Sequence, residues 1–305
     1  MDIFLQERPG AAPDSRRAIC YTAPLPTNRY CPSMHAPQIN IALRAARQAG
    51  RIIRRAAEDP RRFEVTKKGH NDFVSEVDHA SEQAIIQTLR KAYPDHAIRA
   101  EEQGYSEGSG EDAEWEWVID PLDGTTNFLH GFPQYAISIA LKHKGRLEHG
   151  LIYDPVREEE FTASRGRGAA LNGRRIRVSD RKGLDGALLG TGFPFRKDQD
   201  KHLDAYLGMF KDFVGVTAGI RRPGAAALDL AWVAAGRMDG FFEIGLQEWD
   251  IAAGCLLITE AGGLVGDLSG GHEHLKTGNI VGGGPKVFKA MLQTIQPHLG
   301  GLLKK

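Results

Sequence analysis

The chain has 305 residues, 41% of them hydrophobic and 26% charged, with Lys+Arg and Asp+Glu both at 39 and a formal net charge of +0. That length supports a large core in two domains or in one large α/β unit. A balanced charge gives no general attraction to nucleic acid or to a membrane surface, and no apolar run approaches the ~18 residues of a membrane helix. Cys20, Cys31 and Cys255 are too few and too scattered for a disulfide framework or a zinc site, which fits a reducing, cytoplasmic setting.

Residues 1–33 carry Pro9, Pro13, Pro24, Pro26 and Pro32, show no apolar period and lack the apolar stretch of a signal peptide. They are expected to be disordered, or to be an extension ahead of a start at Met34, and to lie outside the fold. From Gln38 to Glu58 the residues Ile39, Ala42, Leu43, Ala46, Ala49 and Ile53 recur at helical spacing, with Arg44, Arg47, Arg51 and Arg55 between them. This is an amphipathic helix ended by Asp59-Pro60. An arginine row can meet nucleic acid, but in a chain without net charge the solvated face is the better reading. Lys67-Lys68-Gly69-His70-Asn71-Asp72 reads as a polar loop. A second helix follows to about Tyr93, with Val74, Val77, Ser81, Ile85 and Leu89 as its stripe. Asp78 stands beside that stripe: either it is half buried and needs a donor or a cation, or it faces solvent at the stripe's edge.

Ala97–Ala100 reads as a strand that delivers Glu101 and Glu102 to its end, and Gly104 to Glu114 as an exposed acidic loop. Trp117-Val118-Ile119 begins a buried strand expected to stop at Asp120, because Pro121 removes a backbone donor. Tyr135 to Lys142 and Leu147 to Tyr153 form a hairpin about Lys144-Gly145-Arg146. Glu160 to Ser164 is expected to pair with Arg174 to Val178. Ala187 to Gly192 is a strand, and a helix lies between about Lys201 and Phe213. Arg221-Arg222-Pro223-Gly224 turns into an apolar helix from Ala225 to about Ala235, and Gly240–Glu243 is a short strand. Trp249-Asp250 starts a helix through Ala261 with Asp250 at the N-cap, ended by Gly262-Gly263. Strands near Leu264 and Ile280 and a last helix from about Pro285 complete a mixed α/β (α+β) pattern.

Glu101, the pair Asp120 and Asp123, and Asp250 all fall at the ends of separate elements. One short segment cannot surround a cation, so acids from several element ends are what an oxygen-ligand metal site requires. No His or Cys accompanies them, which points to Mg²⁺ or Mn²⁺ and away from zinc. Gly124 lets the chain turn tightly, and the N–H groups and Thr hydroxyls after it can face an anion. Carboxylates that hold cations beside such amides describe phosphoryl transfer or phosphate hydrolysis. Two residues separate Asp120 from Asp123, where phosphatases with an aspartyl nucleophile have one. That spacing favours metal ligation and an attacking water over a covalent intermediate.

Asp120-Pro121-Leu122-Asp123-Gly124-Thr125-Thr126-Asn127-Phe128 with Gly131-Phe132-Pro133 resembles the first signature of the inositol monophosphatase family. Trp249-Asp250-Ile251-Ala252-Ala253-Gly254 and Glu260-Ala261-Gly262-Gly263 resemble its second, and Glu101-Glu102 matches its acidic pair. The similarity runs from about Gln38 to the last helix, and Gly224–Leu230 and Phe242–Gly245 resemble most the bacterial SuhB-type branch.

The resemblance implies a layered α/β/α/β/α sandwich of the inositol monophosphatase and fructose-bisphosphatase superfamily. Residues 34–180 would form an α+β domain with the metal-binding motif, and 181–305 an α/β domain that completes the active site. It implies Mg²⁺, with Mn²⁺ as a substitute, held by Glu101, Asp120, Asp123, Asp250 and the Leu122 carbonyl. Glu101 and Thr125 would orient the attacking water, and Asp78 would support Thr125. Gly124 and Thr125 would hold the phosphate, while Asp123, Ala226, Glu243 and Asp250 would contact the inositol hydroxyls, with Glu101 also at the substrate. Lys67 or Lys68 could supply a basic loop residue, and lithium would inhibit. The implied activity is hydrolysis of inositol 1-phosphate and related polyol phosphates by a homodimer. The alternatives are a related sugar or nucleotide phosphatase, or a partner of proteins in ribosomal RNA transcription complexes.

Overall fold

Apolar spacing decides the first helix, α1 (Pro37–Ala57). A proline opens it at a position where the missing N–H costs nothing, and Arg54 and Arg55 sit in its last turn against the negative end of the helix dipole. It buries Ile39, Ala42, Leu43, Ala46, Ala49 and Ile53, the row selected by the spacing. The computed structural model describes residues 36–58, 65–69, 72–194 and 197–301, with the side chains of 65–69, 72–75, 197–198 and 301 left out. The expectations for residues 1–33, for Asp59-Pro60, for His70-Asn71 and for the Lys67 and Lys68 side chains therefore lie outside the described residues. Met34–Lys305 is one compact unit.

After α1 come β1 (Val65–Gly69), β2 (Asp72–Ser75), α2 (Glu76–Ala92), β3 (Ala97–Ala100), β4 (Gly104–Ser106), β5 (Trp115–Asp123) and α3 (Thr125–Leu129). β6 (Ala136–His143), β7 (Arg146–Asp154), β8 (Glu159–Ser164), β9 (Gly168–Leu171) and β10 (Arg174–Arg175) follow. β1 and β2 pair as an antiparallel ribbon of their own, so the polar stretch expected as a loop is strand at Lys67–Gly69 and from Asp72. β3 to β10 make an eight-stranded sheet in the order β10-β9-β8-β7-β6-β5-β3-β4. Only β3 and β5 run parallel in it. The stretch expected as an acidic loop contains β4 and a 3-10 turn at Gly110–Asp112.

β8 pairs with β9, and β9 with β10, which corrects the expected pairing of Glu160–Ser164 with the segment that begins at Arg174. The reason is local. Asn172 and Gly173 both have positive φ, and a tight turn of that kind folds the chain back onto its immediate neighbour, Ala170-Leu171.

The second half supplies β11 (Leu188–Thr191), α4 (Leu203–Val214), β12 (Gly219–Arg221), α5 (Ala226–Ala234), β13 (Gly240–Glu243), α6 (Glu248–Glu260), β14 (Leu264–Gly266), α7 (His274–Thr277), β15 (Ile280–Gly283) and α8 (Pro285–Ile295). Its sheet has the order β12-β11-β13-β15-β14. β11 runs parallel to both of its neighbours, and β15 antiparallel to both of its own.

Three apolar clusters define the layers. α1 and α2 cover one face of the large sheet through Ile53, Ile85, Leu89, Trp117 and Ile119. α5 and α6 lie between the two sheets, with Leu228, Leu230, Leu256 and Leu257 against Val118, Ile152, Phe161 and Phe241. α4 and α8 cover the outer face of the small sheet through Met209, Phe213, Val287 and Met291. The result is the expected α/β/α/β/α sandwich. Because α5 and α6 are buried on all sides, their apolar residues show little one-sided periodicity.

Two glycines let the middle layer approach closely. A Cβ on Gly254 of α6 would stand 2.5 Å from the Leu230 Cβ of α5, and one on Gly150 of β7 would stand 3.0 Å from the Ala253 carbonyl oxygen of α6. Overpacking at such a contact costs about 1–3 kcal/mol, against about 1 kcal/mol of helix propensity gained by alanine. Gly254→Ala is therefore expected to lower stability by about 1 kcal/mol on that balance. Urea unfolding should show a lower midpoint with an unchanged slope.

Candidate active site

β5 lies between β3, which runs parallel to it, and β6, which runs antiparallel. The strand does not end at Asp120 as expected. Asp120 pairs with Ser138, the ladder breaks at Pro121 and Leu122, and pairing resumes between Asp123 and Ala136. Two residues of β5 thus face one of β6, a bulge caused by the proline's missing donor. The Leu122 N–H that the irregular ladder releases goes to Asp120 Oδ1 at 3.0 Å. The bulge is anchored from behind, where the Ser81 hydroxyl of α2 donates to the Pro121 carbonyl at 2.8 Å. Gly124 then turns the chain into α3 with φ +94°, and a Cβ there would meet the Gln134 carbonyl oxygen at 2.9 Å. Only glycine fits this corner.

These residues open onto a cleft of about 330 Å³. Glu101, Asp120, Leu122, Asp123, Gly124, Thr125, Ala226, Glu243 and Asp250, which the resemblance selects from widely separated stretches, all line it. Asp78 does not line it but stands directly behind. It is 1% exposed, and its Oδ1 accepts from the Thr125 hydroxyl at 2.9 Å. That decides between the two readings left open for Asp78: it is buried, with a hydroxyl donor.

Asp120, Asp123 and Asp250 are each held by a backbone donor. Asp123 Oδ2 accepts from Ala227 N at 2.7 Å at the start of α5, and Asp250 Oδ2 accepts from Gln247 N at 2.7 Å. The second bond corrects the expected N-cap. Gln247 is the cap and Asp250 is the third residue of the helical turn, so the two close a reciprocal capping box in which a Gln takes the place usual for Ser or Thr. Beside Glu101, the buried Glu82 accepts from Glu102 N at 2.8 Å and Gln103 N at 2.9 Å, which fixes the bend after β3.

Burial pushes the Asp120 carboxyl well above its usual range, and Glu101, Asp123 and Asp250 push it further. Asp123 is raised in the same way, first by burial and then by Asp250, with the Ala227 N–H in opposition. The acids ring the end of the cleft and do not meet at a point: among the described residues, no three acid, His or Cys side chains enclose an ion by themselves. The donor set still fits a hard divalent cation. It consists of carboxylate oxygens with a backbone carbonyl beside them, and its two most buried members repel one another until positive charge is supplied.

Asn127, Arg222, Phe193 and Asp229 complete the cleft. Asn127 Nδ2 lies 2.7 Å from the Gln134 carbonyl and 2.8 Å from the Pro223 carbonyl, tying α3 to the turn before α5. Arg222 stacks over the Phe193 ring at 4.3 Å, and both line the cleft with Asp229. Asp229 is raised well above the carboxylate range by burial, then by Glu243 and Asp123. The apolar run around Asp229 reads as core, and Glu82 reads as a helix-surface acid, so neither carries a local signal of its place.

A cleft between two sheets, with acids delivered by a bulged strand and by helix starts, defines a phosphatase-type α/β architecture. The model of the inositol monophosphatase family matches residues 34–299. Nus factor SuhB of Pseudomonas aeruginosa is 65% identical over 269 residues, which cover 88% of this chain and 99% of that protein. Among solved structures, the extragenic suppressor protein SuhB of Bartonella henselae superposes with a TM-score of 0.82 at 41% identity, over 86% of this chain and 99% of that one. The inositol monophosphatase of Anabaena superposes with a TM-score of 0.74 at 35% identity, over 85% and 94%. The chain belongs to the inositol monophosphatase family.

The repulsion among the acids has a measurable consequence. In chelator, Asp120→Asn is expected to raise the melting temperature, because it removes a buried charge and its Oδ1 can still accept from Leu122 N. Added Mg²⁺ should raise the melting temperature of the wild type and leave that of Asp120→Asn nearly unmoved, since a ligand stabilises only the state that binds it.

Proposed function

We propose that this chain hydrolyses inositol 1-phosphate and related polyol phosphates in a Mg²⁺-dependent reaction with water as the attacking group. The observation that carries this reading is the shared cleft. The acids, the Gly124-Thr125 turn and Glu243, an acceptor suited to a polyol, all line it. Glu243 lies close against the backbone of Gly192, where a Cβ would overlap its carboxylate.

Glu101, Asp120, Asp123, Asp250 and the Leu122 carbonyl would hold Mg²⁺, or Mn²⁺ in its place. When bound, the cation lowers the pKa of water and offsets charge on the phosphoryl and leaving oxygens. Thr125 carries one hydroxyl hydrogen with two acceptors in reach, Asp78 Oδ1 at 2.9 Å and the Leu122 carbonyl at 3.1 Å, and the nearer carboxyl oxygen is the better acceptor. With the hydrogen committed there, the Thr125 lone pairs can accept from a water in the cleft, and Glu101 is the second group to orient that water. The N–H groups of Gly124 and Thr125 hold the phosphate. Asp123, Ala226, Glu243 and Asp250 contact the hydroxyls of the departing alcohol.

Phosphate release from inositol 1-phosphate should require Mg²⁺ and be inhibited by lithium. Asp123→Asn should abolish it while leaving the circular dichroism spectrum unchanged. Full activity in excess chelator would falsify the reading. A panel of polyol, sugar and nucleotide phosphates ranked by kcat/KM separates the inositol substrate from those of related phosphatases.

A second reading rests on the relative named Nus factor SuhB, at 65% identity. On this reading the chain also acts with proteins of a transcription complex, and catalysis is secondary. An Asp123→Asn chain that restores growth to a strain lacking the gene supports it. Failure of that chain to restore growth, where the wild type succeeds, makes catalysis primary.

A further inference from the structure

Asp229 lines the cleft from the first turn of α5, is 1% exposed, and has an Oδ1 with no hydrogen-bond partner. An acid in a first helical turn commonly serves the helix itself, by capping or by facing the dipole. That role does not account for this one. A capping acid binds a backbone N–H, whereas the α5 cap is Ala225, with no side-chain capping bond, and the acid that takes an N–H of this turn is Asp123, through Ala227. A buried carboxyl oxygen left unmatched is costly, and folds retain such groups where a bound partner completes them.

The surroundings indicate the partner. Glu243 and Asp123 are the acids whose charges bear most on Asp229, and Arg222 bears on it from the opposite sign. All four line the same cleft. A second anion is a poor match for a wall that already carries three acids. A hydroxyl suits it, because it can donate to a carboxyl oxygen and accept from a neighbour at once. We propose that the Asp229 carboxyl binds a hydroxyl of the alcohol portion of the substrate, beside Glu243, and that it sets the preference for a hydroxyl-rich leaving group. This inference rests on the polyol phosphatase reading above and adds a specificity residue to it.

The test compares inositol 1-phosphate with cyclohexyl phosphate, a ring of the same size without hydroxyls, in the wild type, Asp229→Ala and Asp229→Asn. The measured quantity is the ratio of the two kcat/KM values, with thermal melts to confirm folding. Loss of a buried hydrogen bond to a carboxyl group predicts that Asp229→Ala lowers the ratio about tenfold, mostly through KM for inositol 1-phosphate. Asp229→Asn, which keeps the volume and one acceptor oxygen, should lower the ratio by a smaller factor. A wild-type preference that survives unchanged in the variants that fold overturns the inference and leaves the polyol reading standing. Equal losses on both substrates indicate a structural role and overturn it as well. A wild type that shows no preference for inositol 1-phosphate, or hydrolyses neither ester, overturns the polyol reading and the inference together.

Discussion

Asp120 is buried and Asp123 partly buried within reach of Glu101 and Asp250, and much of the structure around them serves to keep that costly arrangement in place. Burial alone disfavours their charged forms, and each neighbouring carboxylate adds to the effect. Backbone donors oppose the repulsion: Leu122 N for Asp120, Ala227 N for Asp123 and Gln247 N for Asp250. Two of these lie at starts of helices, where the dipole also favours negative charge. The remaining deficit of positive charge is what makes a divalent cation the natural completion of the site.

The acids come from segments far apart in the chain, so their spacing depends on packing well away from the cleft. α6, which carries Asp250, is seated on the large sheet through the close approach at Gly150, and it meets α5 through the one at Gly254. Its first turn is held again from β6. The Ser138 hydroxyl donates to the Trp249 carbonyl at 3.0 Å, and Lys142 Nζ lies 2.8 Å from Glu248 and 2.7 Å from Glu116. Arg99 of β3 joins the same group through Glu116 at 2.8 Å. β3 leads directly into Glu101, so one ionic cluster links the strand before Glu101 with the helix turn that bears Asp250. The fold thus turns a core between two sheets into the alignment of carboxylates at its edge.

Much of this was legible in the amino-acid order, for identifiable reasons. α1 and its buried row follow from helical spacing, and β13 from its short apolar run between glycines. The acids of the site stood out because Glu101, Asp120, Asp123 and Asp250 lie directly beside the apolar runs Ala97–Ala100, Trp117–Ile119 and Ile251–Ala253. The misreadings turn on hydrogen bonds that the apolar pattern does not show, between strands or within one helical turn. Pro121 was read as a strand end, but pairing with β6 resumes beyond it and makes a bulge. Asp250 was read as a cap because Gln is an uncommon cap, and only the reciprocal bond with Gln247 reveals its true position. Glu82 and Asp229 have no local signature. Their meaning lies in the backbone N–H groups that one receives and in the cleft that the other faces.

The central claim is that this ring of acids holds divalent cations, and anomalous diffraction from crystals soaked in Mn²⁺ tests it most directly. The account predicts anomalous peaks among the carboxylates of Glu101, Asp120, Asp123 and Asp250 with the Leu122 carbonyl as a ligand, displaced by excess Mg²⁺. Peaks confined to other parts of the surface, with these carboxylates unliganded at saturating Mn²⁺, would contradict it.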